Sequence, residues 1–119
     1  MRLGSGPEAA AEARTAISTL RADLDPPLIE TLRLLVTELV TNSVRHTDAS
    51  TLTLRVAIGS AGVLTEVADE GPAFNPDELE EAGTDRCGWG LFLVQRLAHS
   101  WGVKDDGGSK RVWFELRRA

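Results

Sequence analysis

Three short segments carry residue types that could do chemistry. The first is Glu38, Asn42 and His46, spaced at i, i+4 and i+8, a spacing that puts all three in one narrow sector of a helix. At the rim of an apolar arc, such a set is either the solvated flank of an amphipathic helix or a metal-and-base site. In the second case the Asn oxygen suits Mg²⁺ and the Glu takes a proton from a nucleophile. The second segment is Asp69-Glu70-Gly71-Pro72-Ala73, where Asp69 closes an apolar strand. It is either a turn residue bonded to its own backbone or an acceptor for a nucleobase amino group, with Gly71 letting the base lie close to the main chain. The third is Cys87-Gly88-Trp89-Gly90-Leu91, which opens into an apolar helix. It is either a plain hinge or a set of backbone N–H groups that, with the positive end of the helix, suits phosphate.

The elements that must position these segments follow from periodicity. Residues 1–7 read as a flexible N-terminus or a short edge strand, and residues 8–119 as a single domain. Ala13, Ile17, Leu20 and Leu24 recur at helical spacing and predict a helix over 8–24. Asp25-Pro26-Pro27 stops it and starts a second helix over 27–46, with Leu28, Leu32, Leu35, Val36, Leu39 and Val40 on one arc. Residues 51–58 alternate strictly, turn at Gly59-Ser60-Ala61-Gly62, and return over 63–69 as a hairpin.

Residues 70–88 have little regular pattern and read as a lid or binding loop, with a short helix over 77–82 and a loop over 83–88. A third helix is predicted over 90–100, and two strands near 101–104 and 110–116 flank a turn at 105–109. This order predicts an α+β, two-layer α/β sandwich. Its sheet is mixed and mostly antiparallel, with the helices on one face.

Composition narrows the function classes. The chain has 119 residues, 42% of them apolar, and a net charge of −5, enough for one modest core. Acidic and basic residues interleave, so no basic stripe marks a nucleic-acid groove. The densest basic cluster, Lys110-Arg111 with Arg117-Arg118, reads as the solvated edge of a sheet. Cys87 is the only cysteine, which rules out an internal disulfide and fits a reducing compartment. Apolar runs are far shorter than the roughly 20 residues that span a bilayer, and the N-terminus has no apolar signal core. The expectation is a soluble cytoplasmic domain that contacts neither membrane nor nucleic acid. The sequence holds no Walker loop, dinucleotide fingerprint or nucleophile elbow, and His46 and His99 lack zinc spacing.

Taken in order, the three segments resemble the boxes of the Bergerat-fold ATPases, the superfamily of gyrase B and the histidine kinases. Leu35–His46 is similar to the N box, Asp69–Phe74 to the first glycine box, and Gly88–Val94 to the second. Small size and the wording of the N box resemble most the anti-sigma-factor serine/threonine kinases of actinobacterial type, over about residues 8–116. The resemblance implies ATP and Mg²⁺ as cofactors. Asn42 would coordinate the Mg²⁺, and Glu38 would be the general base that activates a partner's serine or a water. Asp69 would accept the adenine amino group, with Gly71 making room for the ring. Gly88, Trp89, Gly90 and Leu91 would offer backbone N–H groups to the phosphates. His46 and Ala73 complete the implied nucleotide-binding set.

The implied partners are a sigma factor and a STAS-type anti-sigma-factor antagonist, with a possible homodimer through the sheet edge. The chain departs from the family pattern in three places. Ala73 stands where glycine is usual, Arg111 where a threonine before the last strand helps hold adenine, and the N-terminal strand is short or missing. These departures leave a second function open, a catalytically weak ATP-responsive module that sequesters a sigma factor or other partner. A core cut from a histidine kinase fits less well, because no phosphoacceptor helix precedes the N box.

Overall fold

The computed structural model describes residues 1–4, 6–46, 51–69, 86–105 and 110–118, and side chains at 46, 86–91 and 105 are outside that description. Its elements run β1 (Arg2–Gly4), α1 (Ala9–Ser18), α2 (Pro26–His46), β2 (Thr51–Ile58), β3 (Gly62–Asp69), α3 (Arg86–Leu97), β4 (Ser100–Asp105) and β5 (Lys110–Arg117). The strands form one five-stranded sheet in the order β1-β2-β3-β5-β4. Every described pairing is antiparallel. The helices cover one face, as the α+β two-layer reading predicts: α1 packs on α2, α2 on α3, and α2 crosses β3 and β5.

The core lies between these layers. From α2 it takes Leu32, Leu35, Val36, Leu39 and Val40, and from the sheet Leu52, Leu54, Val63, Val67, Val112, Phe114 and Leu116. Phe114 is fully buried. A side chain of this kind contributes about 1.5–3 kcal/mol through burial alone.

Several boundaries differ from the periodic reading. The first helix stops at Ser18 rather than near Leu24. Thr19 donates its hydroxyl and its N–H to Ala16 O, at 2.6 and 3.2 Å, and the Leu20 N–H turns to Ile17 O at 3.0 Å. These i to i−3 bonds tighten and end the helix. Leu24 still reaches the core, from the turn instead of the helix. The second helix starts as predicted, with the Ile29 N–H bonded to Asp25 O at 2.9 Å.

The third helix begins at Arg86, ahead of the predicted Gly90, and ends at Leu97. Gly88 and Gly90 therefore lie inside its first turns. Glycine costs about 1 kcal/mol in a helix interior, a local penalty that packing of α3 on α2 overrides here. The remainder of the lid segment, with its predicted short helix over 77–82, lies outside the described residues.

Residues Arg2–Gly4 form a short strand, β1, at one edge of the sheet. Leu3 pairs with Leu52 and is buried. The basic cluster, in contrast, does not sit at a solvated edge. β5 is an interior strand between β3 and β4, and Lys110 is only 3% exposed. The reason is alternation: Val112, Phe114 and Leu116 face the core, and Lys110 shares their parity.

Candidate functional site

Asp69 is the last residue of β3, at the end of the run Val63, Thr65, Val67 that faces the helices. It is 4% exposed, and neither Oδ1 nor Oδ2 has a hydrogen-bond partner among the described residues. A buried carboxylate without donors is costly. Such a group at a strand end can accept N–H donors.

Directly across the ladder stands Lys110, paired with Asp69 in the β3–β5 register. Its Nζ lies 3.8 Å from Asp69 Oδ2, and both side chains are almost wholly enclosed. That distance supports an ion pair but exceeds a hydrogen bond. The ammonium offsets the charge of Asp69 and leaves its lone pairs available. Burial pushes Lys110 below the ordinary lysine range, and the neighbouring carboxylate opposes that shift.

In the sequence Lys110 stands out only as part of a basic cluster, and Arg111 as the residue where the resemblance implies a threonine. In the sheet Arg111 lies opposite Ala68, and its guanidinium is 3.6 Å from the Glu66 carboxylate on the outward face. The helix-facing neighbour of Asp69 is Lys110, one residue earlier. A slip of one residue changes the face of a strand, and the parity of Val112, Phe114 and Leu116 was the signal that identifies it.

The other two segments are carried by helices. Glu38 and Asn42 are on α2, which crosses β3 and packs on α3. Glu38 is half-buried, Asn42 is buried, and Ser43 beside it is buried as well. The amide is therefore at the rim of the core and not on a solvated flank. His46 ends α2, and its side chain is outside the described residues.

Gly88, Trp89, Gly90 and Leu91 fall in the opening turns of α3. Gly88 is among the first-turn N–H groups that have no intrahelical acceptor; Gly90 and Leu91 lie deeper in the ladder. Gly71 and Ala73 lie outside the described residues. α2 thus brings the N-box residues into the same layer contact as the strand that carries Asp69 and the helix that carries the glycines.

The residues present fit a purine nucleotide. The orphaned, buried oxygens of Asp69 suit an exocyclic amino group, and the buried amide of Asn42 supplies an oxygen ligand of the kind Mg²⁺ takes. Among the described residues no three His, Cys, Asp or Glu side chains gather to hold a metal.

Comparison with known proteins gives a consistent picture. The family model described as "Histidine kinase-like ATPase domain" matches residues 3–116. No curated protein matches the chain. Among solved structures, the RsbU and RsbW domains of Rv1364c from Mycobacterium tuberculosis align at TM-score 0.71 and 20% identity, over 98% of this chain and 32% of that one. The histidine kinase AdeS of Acinetobacter baumannii aligns at 0.61 and 14% identity, over 98% and 66%. The histidine kinase domain from Erythrobacter litoralis EL346 blue-light activated histidine kinase aligns at 0.61 and 20%, over 91% and 62%. The chain thus spans between about a third and two thirds of these structures. At such identities the likeness is one of fold. No described helix is long and apolar enough to cross a membrane.

Proposed function

The chain belongs to the histidine kinase-like ATPase domain family, the Bergerat-fold ATPases, and from that membership we propose that it is a Mg·ATP-binding regulator with serine kinase activity toward an anti-sigma-factor antagonist. The observation that carries the nucleotide part is Asp69, a buried carboxylate at a strand end with both oxygens unpartnered among the described residues. In this reading Asp69 accepts the adenine amino group, and Asn42 holds the Mg²⁺. The opening turns of α3 offer Gly88 and its neighbours to the phosphates. Bound Mg²⁺ would neutralise phosphate charge, which is most of what phosphoryl transfer needs from a site.

Glu38, one turn before Asn42 on α2, would take the proton from the attacking hydroxyl as a general base. A STAS-type antagonist would present that serine, and a sigma factor would be the second partner. The RsbW domain among the structural neighbours supports this choice of partner class by analogy of fold.

A thermal melt with and without Mg·ATP tests the site. Ligand at about 100 times its Kd adds roughly 2.7 kcal/mol to the folded state. For a domain near this size that is a rise in Tm on the order of 10 °C, at about 4–8 °C per kcal/mol for 60–100 residues. The rise should disappear in Asn42→Ala and Asp69→Asn, each compared with its own unliganded melt. No rise in wild type at saturating Mg·ATP would overturn the proposal.

The kinase part is read separately, as phosphoserine formed on the antagonist and lost in Glu38→Ala while the nucleotide-dependent rise in Tm persists. Partner capture regulated by ATP with no phosphoserine would identify the second function, a nucleotide-responsive binding module. Lys110 and Arg111 both keep that reading in view: Lys110 places an ammonium beside Asp69, and Arg111 stands where the family pattern implies a threonine.

A further inference from the structure

Among the described elements, the helices leave the other side of the sheet uncovered, and alternation sorts charge onto it. The positions of outward parity carry Arg2 on β1, Arg55 on β2, Lys104 on β4, and Arg111 and Arg117 on β5, against Glu66 and Glu115. Cations outnumber carboxylates there, in a chain that has 13 basic and 18 acidic residues. Charges that interleave along the sequence are thus segregated across the sheet.

Register gathers them further. Arg2 pairs with Thr53, Thr53 with Ala68, Ala68 with Arg111, and Arg111 with Lys104. One row therefore crosses all the strands, roughly 19 Å at the usual strand spacing. Arg2, Arg55 and Lys104 are exposed, and no ion pair engages them among the described residues. The two carboxylates are already paired, Glu66 with Arg111 at 3.6 Å and Glu115 with Arg117 at 2.9 Å. Beside the row stand Leu64, 47% exposed on an interior strand, and half-buried Trp113, diagonal to it across the β3–β5 ladder.

We propose that this face docks an amphipathic helix of a partner protein, its apolar stripe on Leu64 and Trp113 and its acidic flank along the Arg2–Lys104 row. β2, β3 and β5 are paired on both sides, so side chains and not backbone groups must make the contact, and a helix is the element that covers a sheet face. An apolar centre with a charged rim is the anatomy of a protein interface, and the cationic rim selects an acidic partner. Nucleic acid fits less well, because Glu66 and Glu115 stand within the face and would meet phosphates. A second copy of the same face would set cations against cations. Asp69 and Asn42 lie on the other side of the sheet, so this surface does not depend on the nucleotide reading.

The test is fluorescence anisotropy of labelled synthetic helices titrated with the full chain, each of about 18 residues, long enough to form in isolation. One carries a leucine stripe with glutamate flanks, the other the same stripe with lysine flanks. The glutamate helix should bind saturably and at least about tenfold more tightly than the lysine helix, because like charges brought together at an interface are costly. Its affinity should fall at least about tenfold in the triple variant Arg2→Glu, Arg55→Glu, Lys104→Glu, and should fall in Leu64→Ser as well.

No saturable binding of the glutamate helix, equal binding of the two helices, or equal affinity in wild type and the triple variant overturns the proposal. So does tighter binding of a single-stranded oligonucleotide or of phosphatidylserine vesicles, or self-association of wild type that the triple variant abolishes. Cooperative melting establishes that each variant is folded; if the triple variant does not fold, the two helices on wild type decide. Asp69→Asn should leave the helix affinity unchanged, which separates failure of this surface from failure of the nucleotide site.

Discussion

An almost fully enclosed lysine is unusual, and at Lys110 it is tolerated because Asp69 lies 3.8 Å away. Desolvation still dominates and holds its ammonium below the ordinary lysine range. Between that lowered value and the ordinary one near ~10.4, the unfolded chain binds more protons at this position than the folded chain does. The contribution of Lys110 to stability therefore rises with pH across that window, and it is lost as pH falls through the folded value. Melts of wild type and Lys110→Met from neutral pH upward should show the difference in Tm, wild type minus variant, climbing and then levelling above the ordinary lysine value. A flat difference would show that the shift is absent. Asp69 itself was legible in the sequence, because a carboxylate at the end of an alternating run has only a strand end to occupy. Lys110 was not, because four basic residues near one another look like a solvated edge until the strand's position in the sheet is known.

At the level of elements, the helix–strand boundaries depend on contacts that no local pattern contains. α2, β2 and β3 follow their periodicity within a residue or so. α1 ends early through side-chain and backbone bonds at Thr19, and α3 begins early despite its glycines, so Arg86, Cys87 and Gly88 sit in a helix where a loop was predicted. Glu38 and Asn42 were placed on one helix face by spacing alone, yet their relation to Asp69 depends on α2 crossing β3, which spacing does not encode. Gly62 illustrates a second kind of tertiary demand. A methyl group there would stand 1.9 Å from Leu116 O and 3.0 Å from Arg117 Cα, backbone atoms of the next strand. Gly62→Ala should force β3 and β5 apart and cost about 1–3 kcal/mol, as overpacking does. Gly59→Ala, with nothing within 4 Å, should stay within about 0.5 kcal/mol. Urea titrations separate the two, and an equal midpoint for both variants would contradict the close approach of the strands.

For the whole molecule, the radius of gyration is 13.4 Å, close to the about 13 Å of a compact fold of 100 residues. Its central contact is nevertheless non-local. β3 pairs with β5 along its full length, from Gly62 opposite Arg117 to Asp69 opposite Lys110, and α3 and β4 lie between them in the chain. Refolding should therefore take milliseconds to seconds, the range of sheet-dominated topologies. Trp113 lies over Gly102 on the adjacent strand and provides a fluorescence signal for stopped-flow measurement; completion in microseconds would contradict this account. The same topology bears on synthesis. The last of these strands to be translated is an interior one, and it supplies Val112, Phe114 and Leu116 to the core. The roughly 50 residues from Asp69 to Arg117 take roughly 2 to 10 s to add at 5–20 residues per second. Until β5 is translated, β3 lacks the strand that pairs its inner edge, and N–H and C=O groups left unpaired there invite pairing with other chains. On the ribosome this domain has to be kept from its neighbours until its final strand arrives.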